Sequence, residues 1–223
     1  MLAVPDELLG SVSAGMHVVV LNGQPAAFEL IKKQFEMRQA YLSVIDLPES
    51  GGLPDENHWQ LPQADEAEIK QMLKSIAEKN GAIDGFLYLM PAAQTESGFD
   101  AEKAGFLFAK HLSRWYRRSE HPSRKAFVVV TQLDGQMGFS GEGKWQSEAG
   151  ALNGLVKTLH QEWVTVFCRV IDFSPEVSPE RMGKRIFAEW TDVDRGVIEV
   201  GVSNAGRFTV EFEEILAGES EPV

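Results

Sequence analysis

Short runs rich in valine and isoleucine alternate along the chain with longer stretches of helical period. This is the pattern of an α/β protein whose mostly parallel sheet is covered by helices on both faces. The apolar runs predict strands over 16–22, 40–46, 82–90, 125–131 and 164–173. The periodic stretches predict helices over 25–37, 64–80, 100–119, 145–163 and 178–190. Ser178 followed by Pro179 is a good helix start, a capping side chain and then proline at the first helical position. Further on the period changes to two. Residues 196–203, the turn Asn204-Ala-Gly206 and residues 207–212 read as a β-hairpin. The stretch 48–63, with a Gly-Gly pair and three prolines, and the end of the chain over 219–223 read as loop or linker.

At 223 residues the chain suits one sizeable domain. We divide it into a lead-in over 1–15, the domain over 16–216 and a tail over 217–223. A net charge of -12 argues against a nucleic-acid surface, and the one basic cluster, Arg114-Trp-Tyr-Arg117-Arg118, is too short to reverse that. The single cysteine, Cys168, sits in an apolar run and reads as core filler in a reducing compartment. No stretch approaches the roughly 20 apolar residues that span a bilayer. Asp6 and Glu7 stand where a secretion signal would be positive, so a cytoplasmic protein without membrane contact is expected.

A doubly wound sheet that holds a dinucleotide needs a glycine-rich turn after its first strand, so that the backbone can approach the pyrophosphate. Here that turn is Leu21-Asn-Gly23-Gln-Pro25-Ala-Ala27, with one glycine. It reads more readily as a plain strand-to-helix turn than as a nucleotide site at Gly23. Asp46 stands where such folds place the acid that holds a ribose, but without the glycines it reads as a cap on the loop after its strand. The small residues of Met90-Pro-Ala-Ala93 suit either a nearby cofactor or a closely packed helix. His17, His58, His111, His121 and His160 show no metal-ligand spacing, and His111 and His160 read as surface or half-buried helix residues. Glu66 and Glu68, like Glu211, Glu213 and Glu214, read as solvated charge. Phe99, Phe106, Phe108, Trp115 and Tyr116 fall on one predicted helix and read as core filling or, second, as an interface, with a homodimer possible.

The stretch 128–173 carries a resemblance. Its glycines Gly135, Gly138 and Gly141, its helix motif Gly154-Leu-Val-Lys-Thr-Leu159 closed by Glu162-Trp163, and its strand Cys168-Arg-Val-Ile-Asp172 are similar to the last conserved stretch of the short-chain dehydrogenase/reductases. They look most like the ketoreductase regions of modular polyketide and polyunsaturated fatty acid synthases. The resemblance implies a Rossmann-like fold and fixes where the family's catalytic residues would fall. The serine falls on Gln132, the tyrosine on Trp145, and the following lysine or asparagine on Ala149. A one-residue slip would place Thr131 at the serine, but Lys144 and Gln146 flank the tryptophan. Reducing a ketone leaves an alkoxide that must be protonated by an acid whose pKa a neighbouring cation lowers; indole N–H cannot serve as that acid, and alanine supplies no charge.

The resemblance therefore implies a degenerate, truncated dinucleotide-binding fold. No residue is assigned as catalytic, cofactor-binding or metal-binding. In such ketoreductase regions an inert structural half precedes a half that binds NADPH and reduces the β-keto group of a carrier-protein-bound acyl chain. The implied partners are that catalytic half and, indirectly, the acyl carrier protein. Two other readings stay open, a free-standing NAD(P)H sensor using Gly23 and Asp46, and an active reductase with an unrecognised acid such as Tyr88 or Lys103.

Overall fold

A computed structural model describes residues 1–22, 24–48, 56–91, 99–140 and 147–211. Eight strands form one sheet: β1 (His17–Asn22), β2 (Tyr41–Asp46), β3 (His58–Gln60), β4 (Gly85–Leu89), β5 (Ala126–Thr131), β6 (Phe167–Phe173), β7 (Glu199–Ser203) and β8 (Gly206–Phe208). Their order is β3-β2-β1-β4-β5-β6-β7-β8, and every pair is parallel except β7 with β8. The helices are α1 (Pro25–Glu36), α2 (Glu66–Asn80), α3 (Ala101–Tyr116), α4 (Ser147–Glu162) and α5 (Pro179–Thr191). This is the doubly wound architecture expected. The direction of winding reverses between β1 and β4, so the topological switch point lies at the carboxyl ends of those two strands.

Each face of the sheet has its own core. α1 and α5 cover one face, where Phe35 meets Phe187 and Trp190 edge-on at 5.3 Å. Gly85 lets the Trp190 indole lie on β4, because a Cβ there would sit 2.8 Å from the ring. α2, α3 and α4 cover the other face, where Phe86 stacks with Phe108 and Phe127 at 4.9 Å. Cys168 is buried in that core as expected, and burial pushes its thiol up to about 12, which leaves it inert.

The helix starts follow their capping residues. Ser178 accepts from the Arg181 amide, Asp65 from Glu68 and Asp100 from Lys103. Several strands are shorter than their apolar runs. Val164 is exposed and Val166 closes a turn onto the Trp163 carbonyl, so β6 starts at Phe167. β7 starts at Glu199 because Gly196 is held by the Asp194 carboxylate and the Val197 carbonyl is taken by Arg169. The one element that the pattern does not predict is β3, within the segment read as loop over 48–63. His58, Trp59 and Gln60 pair with Val44, Ile45 and Asp46, while residues 49–55 lie outside the described residues. Leu61, just beyond, is fully buried, and Trp59 packs on the core beneath Lys79. Phe99 precedes α3 rather than lying on it, and Phe106 of that helix is exposed while Phe108 and Tyr116 are buried. The tail over 217–223 and Glu213 and Glu214 lie outside the described residues, as do Ala92 and Ala93.

The lead-in is fastened to the far edge. Leu2 N–H donates to the Arg207 carbonyl, Glu7 bridges to Asp192, and Leu8 N–H donates to Thr191. Beneath it lies a buried ion cluster. Arg169 bonds Glu189 at 2.9 Å and Asp192 at 2.8 Å, and Arg207 bonds the same two carboxylates at 2.7–2.9 Å. Two cations balance two anions, which is what permits their burial.

Two glycine substitutions separate crowded from open positions. At Gly201 an added Cβ would lie 2.1 Å from the Gly135 carbonyl, whereas at Gly154 on α4 it would meet nothing within 4 Å. Gly154→Ala is expected to stabilise the chain by about 0.5–1 kcal/mol in urea unfolding. Gly201→Ala is expected to destabilise it by roughly 1–3 kcal/mol.

Candidate functional site

The place to look for chemistry in this fold is the carboxyl edge of the sheet. Two buried carboxylates end strands there, Asp46 on β2 and Asp172 on β6, both with no exposed surface. Each is satisfied by the chain itself.

Asp46 does not cap a loop as expected. Its Oδ1 accepts from Asn22 Nδ2 at 3.0 Å and its Oδ2 pairs with His58 Nδ1 at 2.8 Å, which joins β1, β2 and β3 in one polar lock. Asn22 Oδ1 in turn accepts the Gln24 amide at 3.1 Å, and the Gln24 carboxamide donates to the Met90 carbonyl at the end of β4. Gln24 thereby ties β1 to β4 across the switch point. Asp46 itself has no exposed surface, so a ribose hydroxyl would have to displace Asn22 or His58 to reach it. These residues do not fit a dinucleotide. Gly23, the one glycine of that turn, lies outside the described residues.

Asp172 organises the loop after β5. Its carboxylate accepts from the Thr131 hydroxyl at 2.9 Å and from the amides of Leu133 at 2.8 Å, Gly135 at 2.8 Å and Met137 at 3.0 Å. Burial raises its carboxyl above the usual range, and these hydrogen bonds oppose that rise. The loop then turns on Gly135 and Gly138, both at positive φ, and Gly135 presses against β7 at Gly201. Asp134 holds the next turn by accepting from Gln136, Gly138 and Ser140. Burial pushes its carboxyl up, but the Ser140 hydroxyl and the three amides outweigh it and hold it at about 2.

The positions where the resemblance puts the family's catalytic residues, and their neighbours, meet this frame. Thr131 is fully buried and spends its hydroxyl on Asp172, while Gln132 is half-buried beside it. Ala149 faces the core with no exposed surface. Lys144, Trp145, Gln146 and Gly141 lie outside the described residues. Of the candidate replacement acids, Tyr88 is fully buried, its hydroxyl donates to the Ala101 carbonyl at 3.4 Å, and burial drives its pKa far up. Lys103 is exposed on the first turn of α3.

His111 is buried and bonds Glu66, which is exposed as expected and also pairs with Lys110 at 2.7 Å on the surface. His17 is buried against Ser43 and the carbonyls of Gly81 and Ala82, and burial lowers its pKa. Among the described residues no group of three or more His, Cys, Asp or Glu is placed to hold a metal, and no helix is long and apolar enough to cross a membrane. An open cavity of about 430 Å³ lies beyond β7, lined by Met137, Phe139, Phe208 and Val210 with Glu211 among them. β5 and β6 separate it from the switch point.

Sequence reasoning missed the locking roles of Asn22, Gln24 and His58. Asn22 and Asp46 share a register in β1 and β2, and that equal spacing from the two strand starts was the available signal.

Among solved structures the chain is similar to a short-chain dehydrogenase from Mycobacterium avium, with a TM-score of 0.63 and 15% identity over 95% of this chain and 91% of that one. It is also similar to a double-mutant short-chain dehydrogenase/reductase from Serratia marcescens, with a TM-score of 0.59 and 12% identity over 86% and 97% of the two chains. The molecule therefore has the fold of the short-chain dehydrogenase/reductases. No protein-family model matches it. Over 102 residues it is 33% identical to one of the subunits of the polyunsaturated fatty acid synthase of Thraustochytrium sp., a match that covers 43% of this chain. It thus resembles a reductase-like region of a polyunsaturated fatty acid synthase, and the match spans 4% of that relative's length.

Two consequences can be measured. Asp46→Ala removes the acceptor of the buried Asn22 amide and one partner of His58, and is expected to cost about 1–3 kcal/mol in chemical unfolding. Because the folded-state pKa of Asp134 is depressed, its contribution to stability is present above pH 4 and is lost as pH falls toward 2. Asp134→Asn should therefore destabilise the chain near neutrality and flatten the acid limb of the stability–pH curve relative to the parent.

Proposed function

We propose that this chain is the non-catalytic structural subdomain of the ketoreductase region of a polyunsaturated fatty acid or polyketide synthase. In this reading it packs against the NADPH-dependent half that reduces carrier-protein-bound β-ketoacyl chains, within a cytoplasmic multienzyme. It meets the acyl carrier protein only through that half. The observation that carries the reading is the Asp46 lock, in which Asn22 and His58 take both oxygens of the acid that a working dinucleotide site keeps for ribose. The match to the Thraustochytrium sp. synthase supplies the setting.

Supporting a partner needs buried apolar area and shape complementarity, and it does not need a perturbed acid or base. The buried Ala149 and the Asp172-bound Thr131 suit such a role, since neither offers a proton to a substrate.

The test is to express the catalytic half of the same synthase alone and together with this chain. Co-purification is expected, together with a rise of several degrees in the melting temperature of the catalytic half and better retention of its β-ketoacyl reductase activity. A catalytic half that neither binds this chain nor gains stability from it would refute the proposal.

A further inference from the structure

The pole of the molecule opposite the carboxyl edge carries a feature that none of the above uses. Helices between parallel strands run back against them, so α3 ends near the amino ends of β4 and β5, where Ser119 bonds Asp84 just before β4. Arg114, Trp115, Arg117 and Arg118 close this helix. The Arg114 and Arg118 guanidiniums lie 5.1 and 5.6 Å from the Trp115 ring centroid, so two cations flank one half-buried indole. Arg117 and Arg118 are exposed. Among the described residues none of the three guanidiniums has a carboxylate partner, whereas Lys110 on the same helix is paired with Glu66 at 2.7 Å. Trp115 Nε1 and Arg114 Nε are shut off from solvent without an acceptor.

Cations at a helix C-terminus gain from its dipole. That gain does not explain why three arginines stay unpaired on a chain of net charge -12. We propose that the end of α3 is a docking site for an acidic segment of a partner protein. Charge complementarity selects the occupant. A partner rich in Asp and Glu is repelled by the acidic bulk of this chain and attracted at this one cluster, which fixes where and how it lands. Arginine presents a planar fork that carboxylates engage in pairs, and a tryptophan held beside it supplies apolar contact area. The site lies away from the Asp46 lock and stands whether or not the structural-subdomain reading holds.

The experiment titrates the full chain against fluorescein-labelled octaglutamate by fluorescence anisotropy at physiological salt. Saturable binding is expected, weakening as salt is raised. Arg117→Glu combined with Arg118→Glu changes only exposed side chains and is expected to weaken binding at least tenfold. Lys33→Glu combined with Lys70→Glu carries the same net charge change on exposed residues elsewhere, and is expected to leave affinity within twofold. Absence of saturable binding, equal loss in both double variants, or equally tight binding of an oligothymidylate of the same charge would each overturn the proposal.

Discussion

A carboxyl group buried inside a protein must be given hydrogen-bond partners, and this fold places two such groups at the carboxyl ends of interior strands, Asp46 and Asp172. The donors come from the chain. Asn22 and His58 go to Asp46, and the amides of the loop after β5 go to Asp172. Open α/β sheets bind ligands at this carboxyl edge, and here these polar groups are engaged in holding the edge together. Backbone amides turned toward Asp172 are not turned toward a ligand.

The two poles are built differently. At the carboxyl edge, separate carboxylates are wrapped by side-chain donors and loop amides. At the far edge of the sheet, Arg169 and Arg207 share Glu189 and Asp192 and tie β6, β8 and the end of α5 into one cluster, over which the first residues of the chain are laid. Breaking one partner of such a cluster strands a buried charge. Both devices hold their strands in one arrangement, which suits the support role proposed for the chain.

The architecture was legible in the sequence because it rests on periodicity. Valine-rich runs flanked by helical stretches can be satisfied only in a covered parallel sheet, and Ser178-Pro179 marked its helix to the residue. β3 was not legible. It is three residues long in a segment dominated by prolines and glycines, and it exists because His58 can reach Asp46 and because Trp59 and Leu61 pack inward. The resemblance drew attention to Ala149, which the structure buries in the core. The lock at Asp46 could not be read in advance, since half of it comes from a side chain of β3, a segment that sequence pattern assigned to loop. The role of Asp46 escapes sequence pattern for the same reason.

The likeness to a polyunsaturated fatty acid synthase subunit of Thraustochytrium sp. gives the proposed support role its setting, and the engaged groups at β1, β2 and β4 are its physical basis. The most direct measurement is calorimetric titration of the 223-residue protein with NADPH up to millimolar concentration. No saturable heat is expected, because Asp46 and Gln24 are already engaged. Saturable binding in the micromolar range would mean that the lock opens to admit a nucleotide, and would contradict the structural role assigned to this chain.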